Sequence, residues 1–216
     1  MSVRKGYFLS FEGIDGSGKT TQAGLVARWL REAGLPVRHT REPGGTPLGR
    51  RLRRVLLAGG AELDHRAELM LYLADRAQHL HQVIRPALAA GKVVVCERYH
   101  DSTIAYQAFG RGLARWQVER CCRLAGPEQP DLTVLLEVAP AVALQRLGGD
   151  LDRLEEQGLA FLERVAAGYR LLAAAAPRRF LVIPSQPRAE QTFALLQAAL
   201  VPRLRQAGIW EGGARA

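Results

Sequence analysis

The chain has 216 residues, of which 48% are hydrophobic and 24% are charged. These proportions are typical of a globular protein and exclude a disordered or fibrous chain. No apolar run approaches the roughly 18 residues needed to span a membrane, and residues 1–5 do not resemble a signal peptide. We therefore expect one domain over residues 1–216, located in the cytoplasm and without a membrane partner.

The formal net charge is +9, and only three of the 30 basic residues are lysines. A nucleic-acid-binding protein would carry a basic stripe. The densest basic cluster, Arg50, Arg51, Arg53 and Arg54, is more typical of a solvated helix face. We favour arginines that line a pocket for anionic substrates, because a planar guanidinium group suits phosphate oxygens. We expect no nucleic-acid partner.

Short apolar runs alternate with longer helical patterns from end to end, which is typical of βαβ units around a parallel sheet. The continuous apolar character of the runs predicts strands that are buried on both faces. The predicted strands span residues 7–11, 37–39, 93–96, 133–136 and 180–183, and the second of them has the weakest pattern.

Helices are predicted between the strands. Gly34 should end the first of them, and Thr46 as N-cap with Pro47 at the first helical position should begin the second. Pro86 should kink or divide the third. The predicted helices span residues 19–33, 47 to about 59, 66–90, 114–124, 155–175 and 188–205.

A phosphate-binding loop follows the first strand and satisfies the pattern G-x-x-x-x-G-K-[ST] at every specified position. Its glycines let successive backbone N–H groups turn towards a phosphate, and the next helix presents its positive end to the anion. The lysine then reaches the outer phosphates of ATP, and the last hydroxyl binds Mg²⁺. The residues predicted to bind ATP are Gly13, Ile14, Asp15, Gly16, Ser17, Gly18, Lys19 and Thr20.

Such a loop also occurs in GTPases and ATPases. A guanine-reading switch normally uses an Asn-Lys-x-Asp segment, and this sequence contains no asparagine. The third strand ends at Glu97, a carboxylate that we expect to organise Mg²⁺ together with Thr20. A plain charge at the end of a strand is the alternative for Glu97.

Further segments then appear in a specific order. They are Arg41-Glu42-Pro43-Gly44-Gly45-Thr46, then Asp75-Arg76, and then Glu97-Arg98-Tyr99 followed by Ser102-Thr103, Ala105, Tyr106 and Gln107. With the loop in its Phe-Glu-Gly-Ile-Asp-Gly context, the chain from about Tyr7 to Arg205 resembles bacterial thymidylate kinases. The resemblance implies a homodimer of α/β P-loop three-layer sandwiches, each with a five-stranded parallel sheet and a short lid. It also implies Mg²⁺-dependent phosphorylation of dTMP to dTDP by ATP, a step of dTTP synthesis.

The resemblance further implies roles for single residues in the dTMP site. Asp15 would bind the sugar 3′-hydroxyl, and Arg98 would bind the acceptor phosphate. Tyr72 would stack on the thymine, and Tyr106 would crowd the 2′ position and disfavour ribonucleotides. The other residues of the implied site are Pro43 and, near the polar edge of the thymine, Arg76, Thr103 and Gln107.

These roles leave alternatives open. Tyr72 and Tyr106 could be core aromatics, and Arg76 could pair with Glu68 or Asp75 on its own helix.

Phosphoryl transfer needs an arginine to neutralise developing charge. The variable positions of the loop hold none, so the resemblance implies that a lid over residues 146–157 supplies it. Arg153 is the predicted catalytic arginine and Arg146 the other local candidate, with Gly148 and Gly149 as hinges. The predicted catalytic residues are Asp15, Lys19, Arg98 and Arg153. The lid is shorter than usual for the bacterial proteins, and Glu97 stands where they more often have aspartate.

Two other functions stay open. A deoxynucleoside kinase would not need Arg98 for an acceptor phosphate. A P-loop ATPase or switch would hydrolyse ATP without any acceptor, and it would have little use for two clusters of aromatic residues and arginines.

Overall fold

Five parallel strands form the central sheet of the computed structural model, which describes residues 6–58, 63–148 and 157–210. The strands are β1 (Tyr7–Glu12), β2 (Val37–Arg41), β3 (Val93–Glu97), β4 (Leu132–Glu137) and β5 (Phe180–Pro184). Their order across the sheet is β2-β3-β1-β4-β5. The predicted α/β fold with a five-stranded parallel sheet is therefore confirmed.

The strand register brings the functional segments to one edge of the sheet. Phe11 of β1 pairs with Glu97 at the end of β3, and Glu12 pairs with Leu135 of β4. Because all strands are parallel, their carboxyl ends meet at this edge, where ligands bind in open α/β sheets.

The helices occupy both faces of the sheet. They are α1 (Lys19–Glu32), α2 (Pro47–Leu57), α3 (His65–His79), α4 (Arg85–Ala89), α5 (His100–Thr103), α6 (Arg115–Ala125), α7 (Pro140–Leu147), α8 (Gly158–Ala175) and α9 (Ala189–Gln206). Leu9 and Phe11 form one apolar cluster with Leu30 of α1 and Leu200 of α9. A second cluster, on the other face, joins α3, α6 and α8 to β4. These two faces with the sheet between them are the predicted three layers.

Burial differs between central and edge strands. Strand β1 is buried along its whole length, and β3 and β4 are buried except at their last residues. The edge strands β2 and β5 are partly exposed, and Val182 of β5 is 44% exposed. The prediction that the apolar runs are buried on both faces is wrong for β2 and β5, because both lie at the rim of the sheet, where the surrounding elements cover side chains less completely than at a central strand.

Pro86 divides the long helical stretch as predicted. Helix α3 passes into a π-helical segment, Leu80–Ile84, and Pro86 then lies in the first turn of α4. Proline has no backbone N–H to continue the α-helical hydrogen bonds, and a change of helical pitch accommodates this loss.

Two helical segments were not predicted. Helix α5 continues into a second π-helical segment, Ile104–Gly110, and every residue from His100 to Gly110 except Phe109 is buried. A segment buried on all sides has no solvent-exposed face, so its polar and apolar residues do not alternate with the period of an amphipathic helix. Helix α7 has only eight residues and buries only Ala143, which leaves little pattern to detect.

Several predicted boundaries lie outside the described residues. They are Gly59, Gly60, the helix start at Glu155 and most of the lid, residues 149–156.

Within the described ranges, none of the helices combines the length and the hydropathy of a membrane-spanning segment.

Candidate active site

A cavity of about 570 Å³ opens at the carboxyl edge of the sheet. Residues 15–20 of the phosphate-binding loop line one end, which we call the donor end. The other end, the acceptor end, is lined by Pro43, Tyr72, Arg76, Thr103, Tyr106 and Gln107. Arg98 and Glu97 also line the cavity. The structure therefore brings nearly all described residues that were predicted to form the site into one cavity, whereas Gly13 and Ile14 do not line it.

The loop conformation depends on glycine at two positions. Gly16 has a φ of 76°, and a Cβ there would come within 2.3 Å of the Ala143 carbonyl oxygen of α7. Gly18 has a φ of 85° and is the N-cap residue of α1. Both angles lie in the left-handed region that glycine adopts at low cost. The loop thus leads directly into the N-terminus of a 14-residue helix whose dipole favours a phosphate.

Lys19 is almost completely buried and turns back on the loop. Its Nζ donates to the Ile14 carbonyl oxygen at 3.2 Å and to Asp15 Oδ1 at 3.1 Å. Burial and the nearby Arg98 charge lower the pKa of Lys19. Asp15 and Glu97 compensate the charge of Lys19 only in part, so this lysine is suited to an incoming anion.

Asp15 lies between Lys19 and Arg98. Its Oδ1 accepts from Lys19 Nζ and from Arg98 Nη2, and its Oδ2 accepts from the Tyr106 hydroxyl at 2.7 Å. Burial alone would raise the pKa of Asp15, but the charges of Arg98 and Lys19 outweigh burial and hold this pKa well below its ordinary value. Asp15 is therefore ionised and links the donor end to the acceptor end.

Arg98 directly follows β3 and has a φ of 62°. Its backbone N–H donates to the Phe11 carbonyl oxygen at 2.9 Å, and its guanidinium carbon lies 4.8 Å from the centre of the Tyr106 ring. This backbone conformation is uncommon for a residue with a side chain. It directs the guanidinium group into the cavity beside Asp15.

Thr20, in the first turn of α1, contacts Glu97 at the end of β3. The Thr20 hydroxyl donates to Glu97 Oε1 at 2.6 Å. Oxygen donors are what Mg²⁺ prefers, and Mg²⁺ bound to nucleotide phosphates uses only one or two protein groups. The donor chemistry of this pair therefore fits the predicted metal site, although the described residues hold no cluster of three or more metal-binding side chains.

Arg76 is buried at the acceptor end and pairs with a residue on a different element. Its Nε donates to Glu42 Oε2 at 2.8 Å, and its Nη2 donates to Thr103 Oγ1 at 2.8 Å. The alternative that Arg76 pairs with Glu68 or Asp75 is wrong. Glu42, directly after β2, is closer than either carboxylate on the same helix.

The two predicted aromatic residues differ in their surroundings. Tyr106 is 3% exposed, packs edge-on against Phe161 with ring centres 6.0 Å apart, and still reaches Asp15 with its hydroxyl. It is both a core aromatic and a cavity residue. Tyr72 is partly buried against the same cluster and lines the cavity.

Only part of the predicted lid can be placed. Arg153 and Gly149 lie outside the described residues. Arg146 lies on α7, and its guanidinium group donates to Ser185 Oγ at 2.9 Å and to the Gln186 carbonyl oxygen at 3.2 Å. It lines the donor end of the cavity.

Glu12 and Glu42 were not among the predicted site residues. Glu12 is buried in β1, and its Oε1 accepts from the Tyr99 backbone N–H at 2.7 Å, next to Arg98. Burial and the nearby Asp101 charge raise the pKa of Glu12 to about 7. A carboxylate inside an apolar strand was the signal that could have identified it.

Comparison with known proteins agrees with this geometry. The family model described as thymidylate kinase matches residues 11–195. The chain belongs to the thymidylate kinase family. It is 52% identical over 191 residues to a thymidylate kinase of Solidesulfovibrio magneticus, covering 83% of this chain and 91% of the relative. It is 45% identical over 204 residues to that of Deinococcus radiodurans, covering 93% and 99%.

A solved structure supports the same family. The crystal structure of thymidylate kinase from Ehrlichia chaffeensis superposes with a TM-score of 0.76 at 33% identity, covering 91% of this chain and 99% of that one. Membership of the family makes the chain a phosphotransferase of the nucleoside monophosphate kinase type. The predicted family and enzyme class are confirmed, and the deoxynucleoside kinase and ATPase alternatives are not favoured.

Proposed function

We propose that the chain transfers the γ-phosphoryl group of ATP to dTMP and releases dTDP and ADP. The observation that carries the proposal is one cavity with a phosphate-binding loop at one end and Arg76 at the other, with Arg98 beside Asp15 between them. Family membership supports the choice of dTMP, since the related proteins are named thymidylate kinases.

At the donor end, the backbone N–H groups of residues 15–20 and the N-terminus of α1 would hold the phosphates of ATP. Lys19 would leave Asp15 and bind the outer phosphates. Thr20 and Glu97 would hold Mg²⁺, which neutralises phosphate charge when it is bound. Arg153 in the lid is our candidate for the charge that develops during transfer, and Arg146 is the described alternative.

At the acceptor end, Arg98 would bind the phosphate of dTMP through two parallel hydrogen bonds. Asp15 would accept from the 3′-hydroxyl, and the Tyr106 ring would fill the 2′ position. Tyr72 would stack on the thymine, while Arg76, Thr103 and Gln107 would face its polar edge and Pro43 would complete the wall.

The reaction follows from this placement. An oxygen of the dTMP phosphate attacks the γ-phosphorus in line, and the bond between this phosphorus and the β–γ bridging oxygen breaks as ADP leaves. No strong base is needed, because the attacking oxygen already carries negative charge. Catalysis then consists of alignment and charge stabilisation.

A coupled assay of ADP release tests the proposal. The panel comprises dTMP, dUMP, dCMP, AMP and GMP, each with and without Mg²⁺. We expect dTMP to accelerate release most, and we expect Lys19→Ala to abolish it. Equal rates with AMP and dTMP would refute the assignment of the acceptor.

We also propose a homodimer located in the cytoplasm. Light scattering after size-exclusion chromatography should give about twice the 23.7 kDa mass of the chain. A mass equal to one chain at micromolar concentration would contradict the dimer.

A further inference from the structure

We infer that Glu68 determines which bases the acceptor end accepts, because it fixes the orientation of the Gln107 side-chain amide. This inference rests on the proposed function, in which a pyrimidine base lies beside Gln107. Glu68 itself does not line the cavity. It acts through Gln107 and is therefore a positioning residue for specificity.

The contact between the two residues is direct and buried. Glu68, on α3, is 0% exposed, and Gln107, in the π-helical segment Ile104–Gly110, is 2% exposed. Gln107 Nε2 donates to Glu68 Oε1 at 2.8 Å. An ionised carboxylate only accepts hydrogen bonds, so the NH₂ group of the amide must be the side that faces it.

Arg111 keeps this carboxylate in place. Arg111 Nη2 donates to Glu68 Oε2 at 3.1 Å, and Arg111 Nε donates to Oε1 at 3.3 Å. The Arg111 guanidinium carbon also lies 5.1 Å from the centre of the Phe161 ring. Both carboxylate oxygens of Glu68 thus accept from a donor with a fixed position, and the carboxylate cannot turn away from Gln107.

The carbonyl oxygen of Gln107 must then point the other way. No group in the described part of the chain donates to this Oε1, and the oxygen is not sealed in the core, so it opens on the cavity that Gln107 lines. Arg76 lines the same cavity and can only donate. The acceptor end therefore presents two groups with fixed hydrogen-bonding roles. Arg76 is the hydrogen-bond donor, and Gln107 Oε1 is the hydrogen-bond acceptor.

This pair of groups complements one type of pyrimidine edge. Thymine and uracil present the carbonyl oxygen O4 and the donor N3–H. Cytosine presents an amino group and an unprotonated N3. Arg76 would then face the amino group, which is another hydrogen-bond donor, and Gln107 Oε1 would face N3, which is another hydrogen-bond acceptor. A free glutamine amide could turn round to suit N3 of either base. By holding the amide in one orientation, Glu68 makes the site reject cytosine, because mispaired buried polar groups discriminate strongly.

The experiment compares dUMP with dCMP, which differ only at this edge. The quotient of their kcat/KM values is measured for the full-length wild type and for Glu68→Met, which keeps the side-chain volume but removes the acceptor. We expect the quotient to fall at least about tenfold while the KM for ATP stays within about twofold. An unchanged quotient would overturn the inference.

A double-mutant cycle separates positioning from a general structural effect. Gln107→Met should lower the quotient as well, and adding Glu68→Met to it should then change little, because the two residues act through one contact. A further tenfold fall in the double variant would also overturn the inference. If Glu68→Met does not fold, Glu68→Asp is used, since it keeps a charge for Arg111 and withdraws the acceptor from Gln107 by one methylene.

The wild-type data separate this inference from the proposed function. If the wild type does not prefer dTMP or dUMP over other monophosphates, the proposed function fails. If the wild type prefers dTMP but Glu68→Met leaves the quotient of dUMP over dCMP unchanged, only the inference about Glu68 fails.

Discussion

The two ends of the cavity are built in different ways. The donor end consists of consecutive residues, 15–20, whose backbone groups and helix terminus suit phosphate. The acceptor end consists of side chains from the residues that follow β2 and β3, from α3, from α5 and from the π-helical segment after α5, and its charged groups are buried against one another. The first arrangement depends on local chain geometry, whereas the second depends on pairs of charges far apart in sequence. Changes at the donor end should therefore mainly reduce catalysis, and changes at the acceptor end should also reduce stability.

The largest effect is expected at the donor end. Lys19→Ala removes the cation that would stabilise the outer phosphates, so we expect kcat to fall about 10³-fold or more. Steady-state kinetics measure this fall, and urea unfolding should show a smaller loss of stability than any change to the buried pair of Arg76. Substantial residual kcat would place the donor phosphates elsewhere.

Glu42→Gln tests the stability of the acceptor end. Glu42 accepts from both Arg76 and His79, and the charge of Arg76 outweighs burial to lower the pKa of Glu42. Removing one partner of a buried ion pair leaves the other uncompensated, so we expect a loss of about 3 kcal/mol in the free energy of unfolding.

The control for Glu42→Gln is Glu190→Gln, measured by urea unfolding under the same conditions. Glu190 lies 3.9 Å from Arg188 in an ion pair that is about 80% exposed. We expect a change of less than about 0.5 kcal/mol for this variant. Equal losses for the two variants would contradict the contrast between buried and exposed pairs.

Arg98→Met tests whether the two ends act separately. Loss of charge-assisted hydrogen bonds to the acceptor phosphate should raise the KM for dTMP about 10- to 100-fold. The KM for ATP should change less than about threefold. Arg120→Met, at an exposed position on α6, is the matched control and should change neither value. Full activity of Arg98→Met would instead favour a neutral nucleoside as acceptor.

The smallest expected effect is the pH dependence of stability that His100 causes. The His100 ring stacks on Tyr99. Burial and the charges of Arg76 and Arg179 lower the pKa of His100 to about 2. The unfolded chain binds a proton at this histidine below pH 6.5 and the folded chain does not, so the contribution of neutral His100 to stability is present above pH 6.5. It is lost as the pH falls from 6.5 towards 2, by up to about 1.4 kcal/mol per unit.

Urea unfolding at pH 7 and pH 5.5 measures this effect. We expect the wild type to lose about 1 kcal/mol more than His100→Gln over that interval. The raised pKa values of Glu12 and Asp75 act in the opposite direction, but they are common to both proteins and cancel in the comparison. Equal losses would mean that His100 titrates normally.

Most of the fold could be predicted because its signals are local. Every strand except β2 contains an apolar run of a few residues, and the phosphate-binding loop carries its own glycines, lysine and helix start. The short helix α7 and the helical segment from His100 to Gly110 could not be predicted, because burial on all sides or short length removes the periodic pattern.

For the site, the sequence was sufficient for the donor end and for the residue types of the acceptor end. The family motifs were sufficient to predict Arg76, Arg98 and Gln107 as site residues, but not which residues they contact. The partners that hold these side chains were accessible only from the folded chain: Glu42 is 34 positions from Arg76, and Glu68 is 39 positions from Gln107. The physical reason is that a backbone loop carries its geometry in consecutive residues, whereas a buried charge is paired by whichever opposite charge the packing of separate elements brings closest.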